Sequence, residues 1–189
     1  MIPYTVQRRG DTKLTNVEMG IWLFLASEAM LFGSLFSAYA LLRVSAPTWP
    51  SGRDVLNLPL GLINTAILLV VSGAAWRARS ASALVAQRFL WLSTIAAIGF
   101  LIVKGTEYNG ELTGGLYPSA SMSLAMYYLL TGVHALHVIG GLIANVWAIV
   151  GSKRRIVAEQ TVGRVRALSL YWLFVDAVWF LILLVIYLS

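Results

Sequence analysis

The chain has 189 residues, 59% of them hydrophobic and 12% charged, with a mean hydropathy of +0.78, a net charge of +6 and no cysteine. A soluble domain carries about twice that share of charged residues, and a core of this size cannot hold the surplus apolar side chains, so a lipid-facing surface is implied. The lack of cysteine excludes a disulfide framework, a thiolate metal site and covalent haem attachment. The basic residues fall in short groups between apolar runs, which reads as topology-setting loop charge and not as a nucleic-acid-binding face.

Residues 1–18 are polar and charged and read as a cytoplasmic tail. No cleavable signal peptide is apparent, because the first apolar run is too long for one. Residues 19–189 then form a single unit with five apolar runs, approximately 19–42, 58–76, 86–103, 124–150 and 167–188. A helix needs roughly 20 residues to cross a bilayer, and each run is near that length. The third is the shortest, and Arg88 and Lys104 at its ends are expected to snorkel toward water. The connections "SAPTWPSGRDVLNLP" and "GTEYNGELTGGLYPSAS" are rich in turn-forming residues and read as short loops.

Eleven of the 14 Lys and Arg residues lie in the tail, around the second connection and in the fourth; three lie in the other segments. The positive-inside rule therefore puts the N-terminus in the cytoplasm and the C-terminus outside. The expected fold class is all-α: one bundle of five transmembrane helices, with no internal repeat.

Ionisable groups inside a span cost roughly 2.5–3.5 kcal/mol each on insertion scales, so they face the bundle interior and need partners. Glu28, His134, His137 and Asp176 lie well inside the spans, and Glu107 lies near the outer end of the third. Glu28 and Asp176 are each about nine residues in from one side, and His137 about thirteen from the other, so all three can approach mid-bilayer. His134 and His137 are three apart and share one helical face. An i,i+3 pair cannot sandwich one haem, and the chain holds only 2 histidines, so a bis-histidine haem within this chain is excluded. Gly132, Gly140 and Gly141 beside them can admit another helix backbone. Tyr171 and Trp172 are expected at the cytoplasmic interface, in an aromatic belt. For Glu28, desolvation favours the protonated carboxyl. Its role is either a hydrogen-bond donor to a neighbour or a proton-handling group; Asp176 either pairs with a histidine or hydroxyl across the bundle or belongs to a proton relay.

The stretches "WLFLASEAMLFGSLFSAY", "GTEYNGEL", "TGVHALHVIGG" and "YWLFVDAVWF" occur in this order on successive segments. Together they resemble subunit III of the haem-copper terminal oxidases, cytochrome c and quinol oxidases alike, in the short five-helix bacterial form. The resemblance implies an accessory subunit of a bacterial inner-membrane respiratory complex, with no catalytic centre, metal or cofactor of its own. Haems and copper then belong to subunits I and II. The same resemblance implies that the subunit stabilises subunit I, supports its proton uptake during oxygen reduction and binds phospholipid. It also implies that Glu28 is the carboxyl attacked by carbodiimide reagents, and that Glu107, Tyr108, His134, His137, Tyr171, Trp172 and Asp176 match family motifs. The family usually has histidine where Leu173 stands, so a polar network through that position is expected to be rewired or reduced. That departure leaves a related alternative, the subunit-III-like proteins that accompany nitric oxide reductases. A small proton or solute transporter is a further alternative, and the lack of inverted repeats speaks against it.

Overall fold

The computed structural model describes residues 10, 14–153 and 158–188, although the side chains of 53, 54, 83, 151–153 and 158–162 are not described. Most of the expected tail, with Arg8, Arg9 and Lys13, lies outside the described residues, as do Arg154 and Arg155 of the fourth connection. The described residues are all-helical: α1 (Asn16–Ser45), a single turn α2 (Gly52–Val55), α3 (Leu58–Ala78), α4 (Ala83–Thr113), α5 (Met122–Lys153) and α6 (Ala158–Ile182), which ends in a π-helical turn (Leu183–Tyr187). Five of these are long and apolar enough to cross a membrane.

Local chemistry sets the ends. Thr15 caps α1 by accepting from the Glu18 amide, while the Glu18 carboxylate accepts from the Thr15 amide at 3.0 Å. This capping box starts the helix three residues before the apolar run. Asn57 caps α3 in the same way, accepting from the Leu60 amide at 3.2 Å, with Pro59 in the first turn where its missing N–H costs nothing.

The third span corrects the expectation. It does not stop at Val103 with Lys104 reaching for water, and "GTEYNGELT" is not a loop; α4 continues to Thr113. Its buried stripe runs Leu90, Ser93 and Thr94, Ala97, Phe100, Lys104, Glu107, Glu111, at helical spacing. The stripe is apolar in its first half and charged in its second. Hydropathy falls because the polar residues lie inside the bundle, not because the helix ends.

α3, α4, α5 and α6 form the body of the bundle, with α6 packed on α1, α3 and α5. Near the start of α6, Ala78, Ala86, Leu90, Ala148, Ile149, Val165 and Leu168 close one end of the bundle. α1 docks on α5 and α6 along a narrow seam. Ile21, Leu25, Glu28, Phe32, Leu35, Tyr39 and Leu42 alternate at four and three residues, the a/d spacing of a coiled coil, and Leu25, Phe32 and Tyr39 are its buried members. Glu28 thus occupies a seam position. Trp22, Leu23, Met30 and Leu41 on the other side of α1 are exposed, as a lipid-facing or subunit-facing surface requires. The Arg166 guanidinium donates to Glu18 at 2.8 Å, which ties the start of α1 to the start of α6.

Candidate functional site

The seam brings two of the sequence-predicted residues together. The Glu28 carboxyl and His137 Nε2 are 2.8 Å apart, with side chains 17% and 16% exposed. The other ring nitrogen, Nδ1, is 2.8 Å from the Val133 carbonyl. A carbonyl can only accept, so Nδ1 carries a hydrogen. Between Nε2 and the carboxyl there must be one further proton, since two acceptors do not approach to this distance. Whether written as imidazole with carboxylic acid or as imidazolium with carboxylate, the pair is neutral overall and shares that proton. Around it, the Phe32 ring lies 5.0 Å from the His137 ring, and the Tyr171 hydroxyl donates to the His137 carbonyl at 2.7 Å.

Asp176 does not join this pair. It sits beside the Ser72 hydroxyl on the α3 side of α6, and its Oδ1 is buried with no hydrogen-bond partner among the described residues. His134 also parts company with His137. Its ring is fully buried between Phe100 and Trp179, at centroid distances of 5.6 and 5.2 Å, and neither ring nitrogen has a hydrogen-bond partner among the described residues. One turn of helix separates the two histidines in environment: one faces an acid, the other only aromatic rings. Among the described residues, no three of His, Asp and Glu converge to share a metal ion.

Three further expectations change. Gly140 and Gly141 admit side chains of α6, not its backbone. A Cβ at Gly141 would lie 2.6 Å from the Trp172 ring, while one at Gly132 would meet nothing within 4 Å. Tyr171 and Trp172 are buried packing residues and not an interfacial belt. Leu173 is 40% exposed and points out of the bundle, so a histidine at this position would face outward too and would join no internal network.

The remaining sequence-predicted residues lie near the far end of α4. Tyr108 is 2.6 Å from the Thr131 hydroxyl, and Glu107 accepts from the Tyr187 hydroxyl at 2.6 Å. Sequence reasoning passed over their neighbours Lys104, Glu111 and Tyr127, and the buried amide Asn145. The signal for the first two was present: Lys104, Glu107 and Glu111 are spaced three and four apart, on one helical face. Asn145 carries no charge and stood out in no pattern.

The geometry defines a multi-pass membrane bundle with paired ionisable groups on its inner seams. The sequence pattern of the family described as cytochrome c oxidase subunit III matches residues 8–189. The chain belongs to that family. It is 35% identical over 184 residues to the cytochrome bo(3) ubiquinol oxidase subunit 3 of Pseudomonas aeruginosa, covering 92% of this chain and 85% of that protein. It is 28% identical over 190 residues to the cytochrome c oxidase subunit 3 of a Bacillus species, covering 98% and 92%. A heme-copper oxidase subunit I+III of Aeropyrum pernix is 35% identical over 187 residues, covering 92% of this chain and 23% of that longer protein.

Proposed function

We propose that this chain is the non-catalytic subunit III of a respiratory haem-copper oxidase in a bacterial inner membrane, where it stabilises subunit I and supports its proton uptake. The observation that carries the reading is the 2.8 Å contact between the Glu28 carboxyl and His137 Nε2 on the α1 seam. A neutral pair of this kind takes up and hands on a proton without leaving an isolated charge in the membrane. With the basic end of the bundle in the cytoplasm, the pair lies near mid-bilayer, midway along α1 and α5. The Aeropyrum relative, whose name joins subunits I and III, supports a direct association with subunit I. In this reading haems and copper reside in subunits I and II, and phospholipid covers the exposed apolar faces left by the partners.

Native mass spectrometry of the complex extracted in mild detergent tests the assignment. The chain is expected to leave the membrane with a haem-bearing subunit I; its isolation as a lone stable protein would overturn it. Proton uptake followed with a pH-indicating dye then tests the role of the pair. Glu28→Gln is expected to slow uptake several-fold with the subunit retained. Unaltered uptake would confine the subunit to a stabilising role.

A further inference from the structure

Lys104, Glu107 and Glu111 project inward from α4, and Lys104 is 2% exposed. Its Nζ donates to the hydroxyls of Tyr127 at 2.9 Å and Tyr187 at 2.6 Å, and stands 3.1 Å from Glu107 Oε2. An ammonium has three protons and no acceptor site; two go to the tyrosine hydroxyls, while Glu107 Oε2 stands in ion-pair range without a hydrogen bond. The faces of Tyr108, Tyr127, Trp179 and Tyr187 surround the cation, with ring centroids 4.6–5.6 Å away.

The two carboxyls are not equivalent. Glu107 faces Lys104 through one oxygen and accepts from Tyr187 at 2.6 Å through the other. Glu111 accepts from Tyr127 at 2.8 Å on Oε1 and has the Tyr128 hydroxyl beside it, while its Oε2 is buried with no hydrogen-bond partner and no cation beside it among the described residues. One ammonium and two carboxylates would leave a net negative charge largely withdrawn from water, with that charge on the bare oxygen. One added proton on Glu111 makes the cluster neutral.

We infer that this cluster is a proton-exchange site, in which Glu111 carries one acid proton and exchanges it with the aqueous phase at the end of the bundle where α4 finishes. On release, the Glu111 O–H bond breaks, the proton passes to water, and the Tyr127 hydroxyl remains as donor to the carboxylate. Uptake is the reverse.

Two independent features distinguish the cluster from a structural knot. The helical ladder widens to a π turn at Leu183–Tyr187, which carries the Tyr187 hydroxyl to Lys104. Such turns occur preferentially at functional sites. In addition, a narrow cleft lined by Trp49, Gly52, Val55, Leu124 and Ile186 reaches Tyr127 from beneath the first connection. Gly52 fits so closely on the Ile186 carbonyl that any Cβ there would overlap it, so the connection caps the cleft through backbone contact. Other titratable groups facing the cluster are Tyr108 of α4, Tyr128 of α5 beside Glu111, His134 of α5 beyond Trp179, and Tyr39 of α1 in the cleft wall.

Infrared spectroscopy of the whole purified complex in H2O and D2O tests this, through the deuterium-sensitive carbonyl stretch of protonated carboxyls. Glu111→Gln is expected to remove one carboxyl's worth of that band. Lys104→Met is expected to add one, because Glu107 then needs a proton as well. A band unchanged in either variant, or one that does not shift in D2O, overturns the proposal. Should Lys104→Met fail to enter the complex, the double variant Lys104→Met with Glu107→Gln removes the unpaired charge and is expected to match the native band; any other count is equally fatal. Contributions of Glu28 and Asp176 are common to all these variants and cancel in the difference.

Discussion

The Trp172 indole N–H donates to Asn145 Oδ1 at 3.1 Å, and neither residue has any exposed surface. The Asn145 amide nitrogen in turn donates to the hydroxyls of Ser93 at 3.1 Å and Thr94 at 3.3 Å, so one side chain joins α4, α5 and α6. Helices in a bilayer gain little from apolar burial against one another, and interhelical hydrogen bonds and close packing hold them together instead. Asn145→Ala is therefore expected to cost about 2–3 kcal/mol by stranding the Trp172 donor. Asn145→Asp is expected to be comparably harmful while ionised. The Thr94 hydroxyl already donates to the Leu90 carbonyl at 2.8 Å and would present oxygen to oxygen. Thermal loss of the subunit from the detergent-solubilised complex reads both effects.

The Glu28–His137 pair predicts an asymmetry between conservative and disruptive changes. A glutamine at 28 can donate its amide N–H to Nε2, so Glu28→Gln is expected to keep the subunit assembled while abolishing carbodiimide labelling of α1. His137→Phe leaves the acid facing a ring and is expected to release the subunit at a lower temperature than Glu28→Gln does. Peptide mapping after labelling and a melting series on both complexes check the two halves.

Within α5, two glycines give opposite expectations. Gly141→Ala must displace the Trp172 ring and is expected to destabilise the bundle by about 1–3 kcal/mol, the usual cost of overpacking. Gly132→Ala has open space and gains helix propensity, so it is expected to be neutral or stabilising. Equal effects at the two positions in a melting assay would contradict the packing described.

Glu18 and Arg166 form an ion pair with side chains 16% and 42% exposed. Partial exposure and screening limit its worth to about 0–1 kcal/mol, so Arg166→Gln is expected to shift melting only slightly, and less in high salt. A large, salt-independent loss would show that this contact holds α1 in place.

Five spans and the alternation of basic segments were legible because both follow from summed properties of long stretches. The end of α4 was not, because an inward charged face lowers hydropathy in the same way as a loop does. Lys104 is the clearest instance: its charge suggested an interface, and its partners on α5 and the C-terminal turn are distant in sequence. The partner of Asp176 stayed open in the sequence, since depth fixes height along α6 and not the neighbour it faces; the structure sets it beside the Ser72 hydroxyl and apart from Glu28 and His137. Asn145 illustrates a third kind of failure, in which an uncharged amide inside an apolar run gives no compositional signal yet joins three helices.

The order of synthesis gives the α1 seam a consequence for biogenesis. α1 rests on α5 and α6, the last helices to be made, so during translation it enters the bilayer without the surface it will occupy. Glu28 must wait through two intervening spans, α3 and α4, for His137. Throughout that interval the first helix is a free segment with an unpartnered polar group. Its capture by the finished bundle is a late assembly step, open to help from a neighbouring chain already in the membrane.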